Sequence, residues 1–162
     1  MGVTCLYAGS FDPVTNGHLS LIRRASERFD RVFVAVMKNA AKQGAFPVGE
    51  RLRMLADVCA PYRNVRVLAA DGLTCALARQ LGARVLLRGL RGAQDLDNEF
   101  AMARINRQLN PDLETVFFPP EPGCEAISST IVRELAAYGA DIDSFVPAIV
   151  KDEIINHYKG GR

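Results

Sequence analysis

The chain has no tryptophan, only two histidines and four scattered cysteines, and its formal net charge is +2 over 162 residues. Each scarcity removes a class of function. So small a charge creates no broad field for a nucleic acid, and any anionic ligand must be held by local clusters. Cys5, Cys59, Cys75 and Cys124 form no C-x-x-C pair and, with two histidines, give no zinc-ligand spacing. A metal site built from protein side chains is not expected, and the thiols suit a reduced, cytoplasmic setting. No apolar run approaches the roughly 18 residues of a membrane span. The opening MGVTCLYAGS shows no basic leader, so an unprocessed chain without a membrane partner is expected. A Walker lysine motif, a G-x-G-x-x-G fingerprint and a nucleophile elbow are all missing.

What is present is alternation. Short apolar runs rich in β-formers (VTCLYA, VFVAV, VRVLAA, RVLLRG, ETVFFP) take turns with longer amphipathic ones, five times along the chain. Several strands are apolar on both faces, as in a parallel sheet covered by helices on each side. The pattern predicts an α/β fold: a doubly wound, parallel five-stranded sheet with a C-terminal helix. Residues 1–162 contain no repeat, low-complexity segment or linker and read as a single domain. The first helix places Leu19, Ile22, Ala25 and Phe29 on one stripe, with Arg23, Arg24, Glu27 and Arg28 facing out. His157, late in the last helix, reads as a surface residue.

Ligands of open α/β sheets sit beyond the carboxyl ends of the strands. The loops to inspect are therefore residues 8–18, 37–47, 70–74, 88–99 and 118–130. In AGSFDPVTNGH, Gly9 permits close backbone approach, Asp12-Pro13 sets a turn, Thr15 or Asn16 can cap, and His18 opens the first helix. A histidine there aims at the same place as the free backbone amides of the helix start, which favour an anion. In LLRGLRG, Arg88 and Arg91 flank Gly89; phosphate between them is one reading, and neutralisation by Asp95, Asp97 and Glu99 is the other. In AISSTIVREL, three hydroxyls stand where one suffices to cap a helix; a second anion site is one reading, and capping alone is the other. Lys38 and Lys42 lie in the loop after the second strand, where a lysine can close on a ligand as a mobile charge. Together these argue for phosphoryl or nucleotidyl transfer by positioning and charge stabilisation, without a covalent enzyme intermediate.

The segments GSFDPVTNGH, RGLRGAQDLDNE and ISSTIVRE resemble the T/H-x-G-H and I-S-S-T/S motifs of the nucleotidylyltransferase superfamily. With the lysine loop and the chain length, the whole sequence is similar to the bacterial phosphopantetheine adenylyltransferase family. The resemblance implies transfer of AMP from ATP to 4′-phosphopantetheine, giving dephospho-coenzyme A and pyrophosphate, with Mg²⁺ and in a homohexamer. Position by position, it implies ATP contacts from Gly9, Ser10, His18, Gly89, Leu90, Arg91, Glu99 and the run Cys124, Glu125, Ala126, Ile127, Ser128, Ser129 and Thr130. His18 is the implied catalytic residue, stabilising the transition state. Ser10, Lys42, Thr74 and Arg88 are the implied contacts of phosphopantetheine. The sequence departs from the family pattern at Thr74, Asn98 and Cys124. A sister adenylyltransferase acting on nicotinate or nicotinamide mononucleotide shares the helix-start motifs, but usually carries a histidine where Thr15 stands. A non-catalytic nucleotide sensor on the same fold is the other alternative.

Overall fold

The computed structural model describes residues 2–38 and 44–160, apart from the side chain of Gln94. Strand and helix alternate as the pattern predicts: β1 (Thr4–Gly9), α1 (Asn16–Ser26), β2 (Arg31–Met37), α2 (Val48–Cys59), β3 (Val65–Ala70), α3 (Thr74–Leu81), β4 (Val85–Gly89), α4 (Ala93–Leu109), β5 (Glu114–Phe118), α5 (Ser129–Ala137) and α6 (Ala148–Lys159). All four strand pairings are parallel, and the order across the sheet is β3-β2-β1-β4-β5. Winding therefore reverses at β1, which pairs with β2 on one side and β4 on the other.

Side chains alternate across a strand, so each strand feeds two cores. Cys5 and Tyr7 of β1 join one core, with Ile22 and Ala25 of α1, Met54 and Leu55 of α2, and Ile154 of α6. Leu6 and Ala8 join the other, with Cys75, Leu77 and Ala78 of α3. The sheet is thus covered on both faces. Leu19 and Phe29 pack partly buried against the first core, completing the expected apolar stripe, although Phe29 lies beyond the end of α1. Among the described residues no helix is long and apolar enough to cross a membrane.

The α4 boundary differs from the sequence reading, which placed residues 88–99 in a loop. The helix begins at Ala93 and carries Asp95, Asp97 and Glu99 in its first two turns. Its opening AQDLDNE lacks an apolar stripe, so periodicity hides it. The helix forms because Ala, Gln, Leu and Glu are good helix residues and a carboxylate in the first turn complements the dipole.

Ile22 is completely buried between α1 and the sheet. Ile22→Ala is expected to cost about 2–5 kcal/mol of stability, read as a lower urea midpoint with an unchanged slope.

Candidate active site

The strand ends at the reversal point carry the features singled out above. Ser10 to Thr15 leaves β1, Arg88 to Gly92 leaves β4, and both segments open onto one cavity of about 340 Å³. That volume falls at the lower end of the roughly 300–1,000 Å³ of small-molecule sites.

The β1 loop is held from beneath. Phe11 takes a positive φ of 45°, a sparsely populated conformation for a bulky residue that surrounding contacts must impose. The Asp12–Pro13 peptide is cis. Three carbonyls of this loop are then bonded by side chains from other elements. Arg51 Nη1 donates to Ser10 O at 2.9 Å, Arg133 Nη1 to Asp12 O at 2.6 Å, and Ser129 Oγ to Pro13 O at 2.8 Å. The Asp12 carboxylate accepts the backbone N–H groups of Ala45 and Phe46 at 2.8 and 2.9 Å. Buried Arg51 donates through Nε to Phe46 O at 2.9 Å, with that same Nε 3.9 Å from Asp12 Oδ1.

Thr15 caps α1, its hydroxyl accepting from the His18 backbone N–H at 3.3 Å. The reciprocal bond of this capping box sets the chemistry of the histidine. Thr15 N–H donates to His18 Nδ1 at 3.1 Å, so Nδ1 is the acceptor and a neutral ring carries its proton on Nε2. Phe11 packs edge-on against the imidazole at 4.9 Å between centroids, fixing the ring plane. Desolvation first, then the Arg91 and Arg88 charges, push the His18 pKa down to about 4. His18 is therefore a neutral Nε2–H donor near pH 7.

Arg88, half-buried at the end of β4, donates to both oxygens of Glu99: Nε to Oε2 at 2.9 Å and Nη2 to Oε1 at 2.6 Å. Its Nη1 reaches Ala8 O at 3.0 Å. These bonds to Glu99 raise the Arg88 pKa and keep it charged. Arg91 pairs more loosely with Asp95, Nε to Oδ2 at 3.3 Å on an exposed surface. Both readings of the arginine pair thus have substance: carboxylates partly neutralise it, and it still lines the cavity. A Cβ at Gly89 would come within 2.9 Å of Leu21 Cδ2 on α1, so a side chain there would oblige Leu21 to shift.

The third wall is the approach to α5. Ser128 is the cap, accepting from Ile131 N–H at 3.2 Å. Ser129 is spent on Pro13, and Thr130 Oγ1 meets Arg133 Nη2 at 3.2 Å. The surplus hydroxyls therefore have structural partners, and the case for an anion there rests on the backbone amides of the α5 start. Cation contacts hold the preceding segment: Arg24 lies 4.6 Å over the Phe118 ring and donates to Pro119 O at 2.6 Å, and Arg23 pairs with Glu121.

Of the residues inferred from sequence, Gly9, Ser10, His18, Arg88, Gly89, Leu90, Arg91 and Glu99 line the cavity, as do Cys124, Ile127, Ser128, Ser129 and Thr130. Glu125 and Ala126 are exposed in the turn beside it, and Thr74 opens α3 outside the lining. Lys42 lies outside the described residues, and Lys38 pairs with Asp71 at 3.2 Å. Cys5 and Cys59 are buried, their thiols pushed up to about 12 by desolvation, and are inert core residues. His157 is exposed as expected but stacks on Phe46 at 4.1 Å between centroids. Arg51 and Arg133 were not anticipated from sequence. Arg51 did leave a signal, since it stands in register with Met54, Leu55 and Val58, on the apolar stripe of α2. Among the described residues no group of three or more His, Cys, Asp or Glu side chains is placed to hold a metal ion. The cavity carboxylates Asp95 and Glu99 are each bonded to an arginine.

A parallel sheet wound in this order, with two helix starts and two arginines over its reversal point, defines a nucleotide-binding class of α/β protein. Comparison with known proteins narrows the class. Residues 6–135 match the family model described as cytidylyltransferase-like. The chain is 42% identical over 160 residues to the phosphopantetheine adenylyltransferase of Methylococcus capsulatus, covering 99% of both chains. It is 45% identical over 157 residues to that of Desulforamulus reducens, covering 97% of this chain and 98% of the relative. A crystal structure from Vibrio parahaemolyticus assigned as a nicotinate-nucleotide adenylyltransferase superposes with a TM-score of 0.73 over 98% of this chain and 96% of that one, at 19% identity. That last likeness concerns the fold alone. The chain belongs to the cytidylyltransferase-like family and, within it, to the phosphopantetheine adenylyltransferases.

The capping box has a titration signature. His18 is expected to titrate near pH 4 rather than at its ordinary value of 6.5, measured by NMR on the ligand-free protein. Between those values the unfolded chain binds a proton that the native one refuses, so stability falls as pH drops through that window. A midpoint near 6.5 would contradict the neutral Nε2–H assignment.

Proposed function

We propose that the chain transfers the adenylyl group of ATP to 4′-phosphopantetheine, forming dephospho-coenzyme A and pyrophosphate. The observation that carries this reading is the convergence of a neutral histidine donor, two arginines and two helix starts on one cavity, in a chain so similar to phosphopantetheine adenylyltransferases. The acceptor phosphate is already an anion near neutral pH, so no general base is needed to create the nucleophile. What the reaction requires is that two polyanions be brought together and that charge appearing on the α-phosphoryl oxygens meet preorganised donors.

The residues inferred from sequence divide between these tasks. Ser10, Arg88 and Lys42 take the acceptor phosphate, and Thr74 is assigned to the pantetheine end. The starts of α1 and α5, with Gly9, Ser10, Gly89, Leu90, Arg91 and Glu99, take ATP. The segment from Cys124 to Thr130 borders the nucleoside. His18 Nε2–H points at the transferring phosphoryl group, and its neutrality matters: it donates a hydrogen bond and keeps that proton, acting as neither acid nor base near neutral pH. Among the described residues no cluster of side chains forms a cage for a metal; Mg²⁺ would be held mainly by ATP phosphate oxygens and water, where it would offset phosphate charge. Met102, Ile105 and Leu109 form an exposed apolar stripe on α4, which supports assembly of copies, here proposed as a homohexamer in the cytoplasm.

Pyrophosphate release from ATP should require phosphopantetheine and should not occur with nicotinate or nicotinamide mononucleotide; turnover of the mononucleotide alone would overturn the reading. His18→Ala is expected to slow turnover about 10²-fold or more with ATP affinity little changed. A sensor protein would tolerate that change. Arg88→Ala and Lys42→Ala are expected to raise the KM for phosphopantetheine as well as slow the reaction.

A further inference from the structure

Phe11 stands where the backbone asks for a glycine. Its φ of 45° is a conformation that a bulky residue adopts only when its surroundings dictate it. Here they do, because the peptides on both sides are tied down: Ser10 O by Arg51 at 2.9 Å and Asp12 O by Arg133 at 2.6 Å. Glycine would take this φ freely, so a turn alone gives no reason for phenylalanine. What the conformation delivers is the ring. It lies buried, 5.3 Å from Tyr7 and 4.9 Å from His18 between centroids, with interplanar angles of 88° and 66°. The end of β1 leaves room for it, since a Cβ on Gly9 would come within 3.3 Å of the Phe11 ring atoms Cε2 and Cζ.

His18 needs such a neighbour. The bond from Thr15 N–H to Nδ1 anchors one corner of the imidazole, and a single hydrogen bond leaves the ring room to swing about its broad χ2 torsion. A second contact, made to the body of the ring, removes that freedom. We propose that Phe11 is a positioning residue for His18: its strained backbone delivers the phenyl ring against the imidazole, so that Nε2–H keeps one aim and the imidazole is kept out of water. The aim concerned is the one toward the transferring phosphoryl group, so the kinetic consequence rests on the adenylyl-transfer reading. The effect on the imidazole itself does not.

Two variants separate this role from that of a core plug. Phe11→Leu keeps an apolar side chain in the core and removes the ring; Phe11→Gly accepts the positive φ and removes the side chain altogether. Phe11→Leu is expected to lower kcat about tenfold or more with the KM for each substrate within about twofold, because a donor off its line is missed mostly in the transition state. In a His18→Ala background the same change should add less than about twofold. NMR of the ligand-free protein reads the contact without turnover. The His18 midpoint, held at about 4 in the parent by burial and by the Arg91 and Arg88 charges, should rise toward 6.5 in Phe11→Leu. Phe11→Gly should behave like Phe11→Leu; retained activity there would assign the function to the backbone conformation and overturn the proposal, and Phe11→Leu decides alone if the glycine variant does not fold. A lower urea midpoint in Phe11→Leu with kcat and the His18 titration unchanged marks a plain core residue and also overturns it, as do losses that multiply with His18→Ala. A parent that does not use phosphopantetheine sinks the transfer reading instead, and the titration comparison still decides between a positioned and a merely buried His18.

Discussion

The site hangs on a buried contact between two charges that stand outside the cavity lining. Asp12 and Arg51 lie beneath the β1 loop, the carboxylate holding the amides of Ala45 and Phe46 and the guanidinium holding the carbonyls of Phe46 and Ser10. Such a pair gains little net stability over an apolar substitute, but removing one member strands the other and costs about 3–5 kcal/mol. Its value is geometric. Two loops that follow different strands are fastened to each other and to α2, and Phe11 is held at its positive φ. The loop that carries Ser10 and leads into His18 can therefore be rigid without being regular.

Charge in the cavity is arranged with the same economy. Burial first, then Arg91 and Arg88, depress the His18 pKa, so this donor in the cavity lining is neutral near pH 7. Glu99 and Asp95 in turn temper the arginines, so an empty cleft does not hold a cluster of bare cations. The cavity thus offers polyanions oriented N–H groups at both helix starts, on the imidazole and on the guanidinium. Preorganised donors of this sort supply the largest part of many rate enhancements, because they need no reorganisation as charge moves.

The architecture was legible because it is written in periodicity. Strands such as VFVAV are apolar on both faces, and α1 carries a clear stripe, so element order follows from the pattern alone. Residues at strand ends were legible too, since Gly9, His18, Arg88 and the serines before α5 stand out against that pattern. Three things were not. The start of α4 has no stripe to betray it, so Glu99 looked like part of a loop when it is a helix residue facing Arg88. The hydroxyls of Ser129 and Thr130 looked surplus, yet they bond to Pro13 and Arg133, partners that only tertiary contact reveals. Arg51 was hidden among the other arginines of the chain, and only its place in register with Met54 and Leu55 marked it as buried.

The central claim is that the adenylyl group moves directly between the two substrates, stabilised by donors and never bonded to the protein. The most direct measurement is the stereochemical course at the α-phosphorus, using ATP made chiral there by sulfur substitution. One in-line displacement inverts that centre. Inversion is the outcome this account predicts. Net retention would mean two displacements through a covalent adenylyl-enzyme, and it would contradict the account.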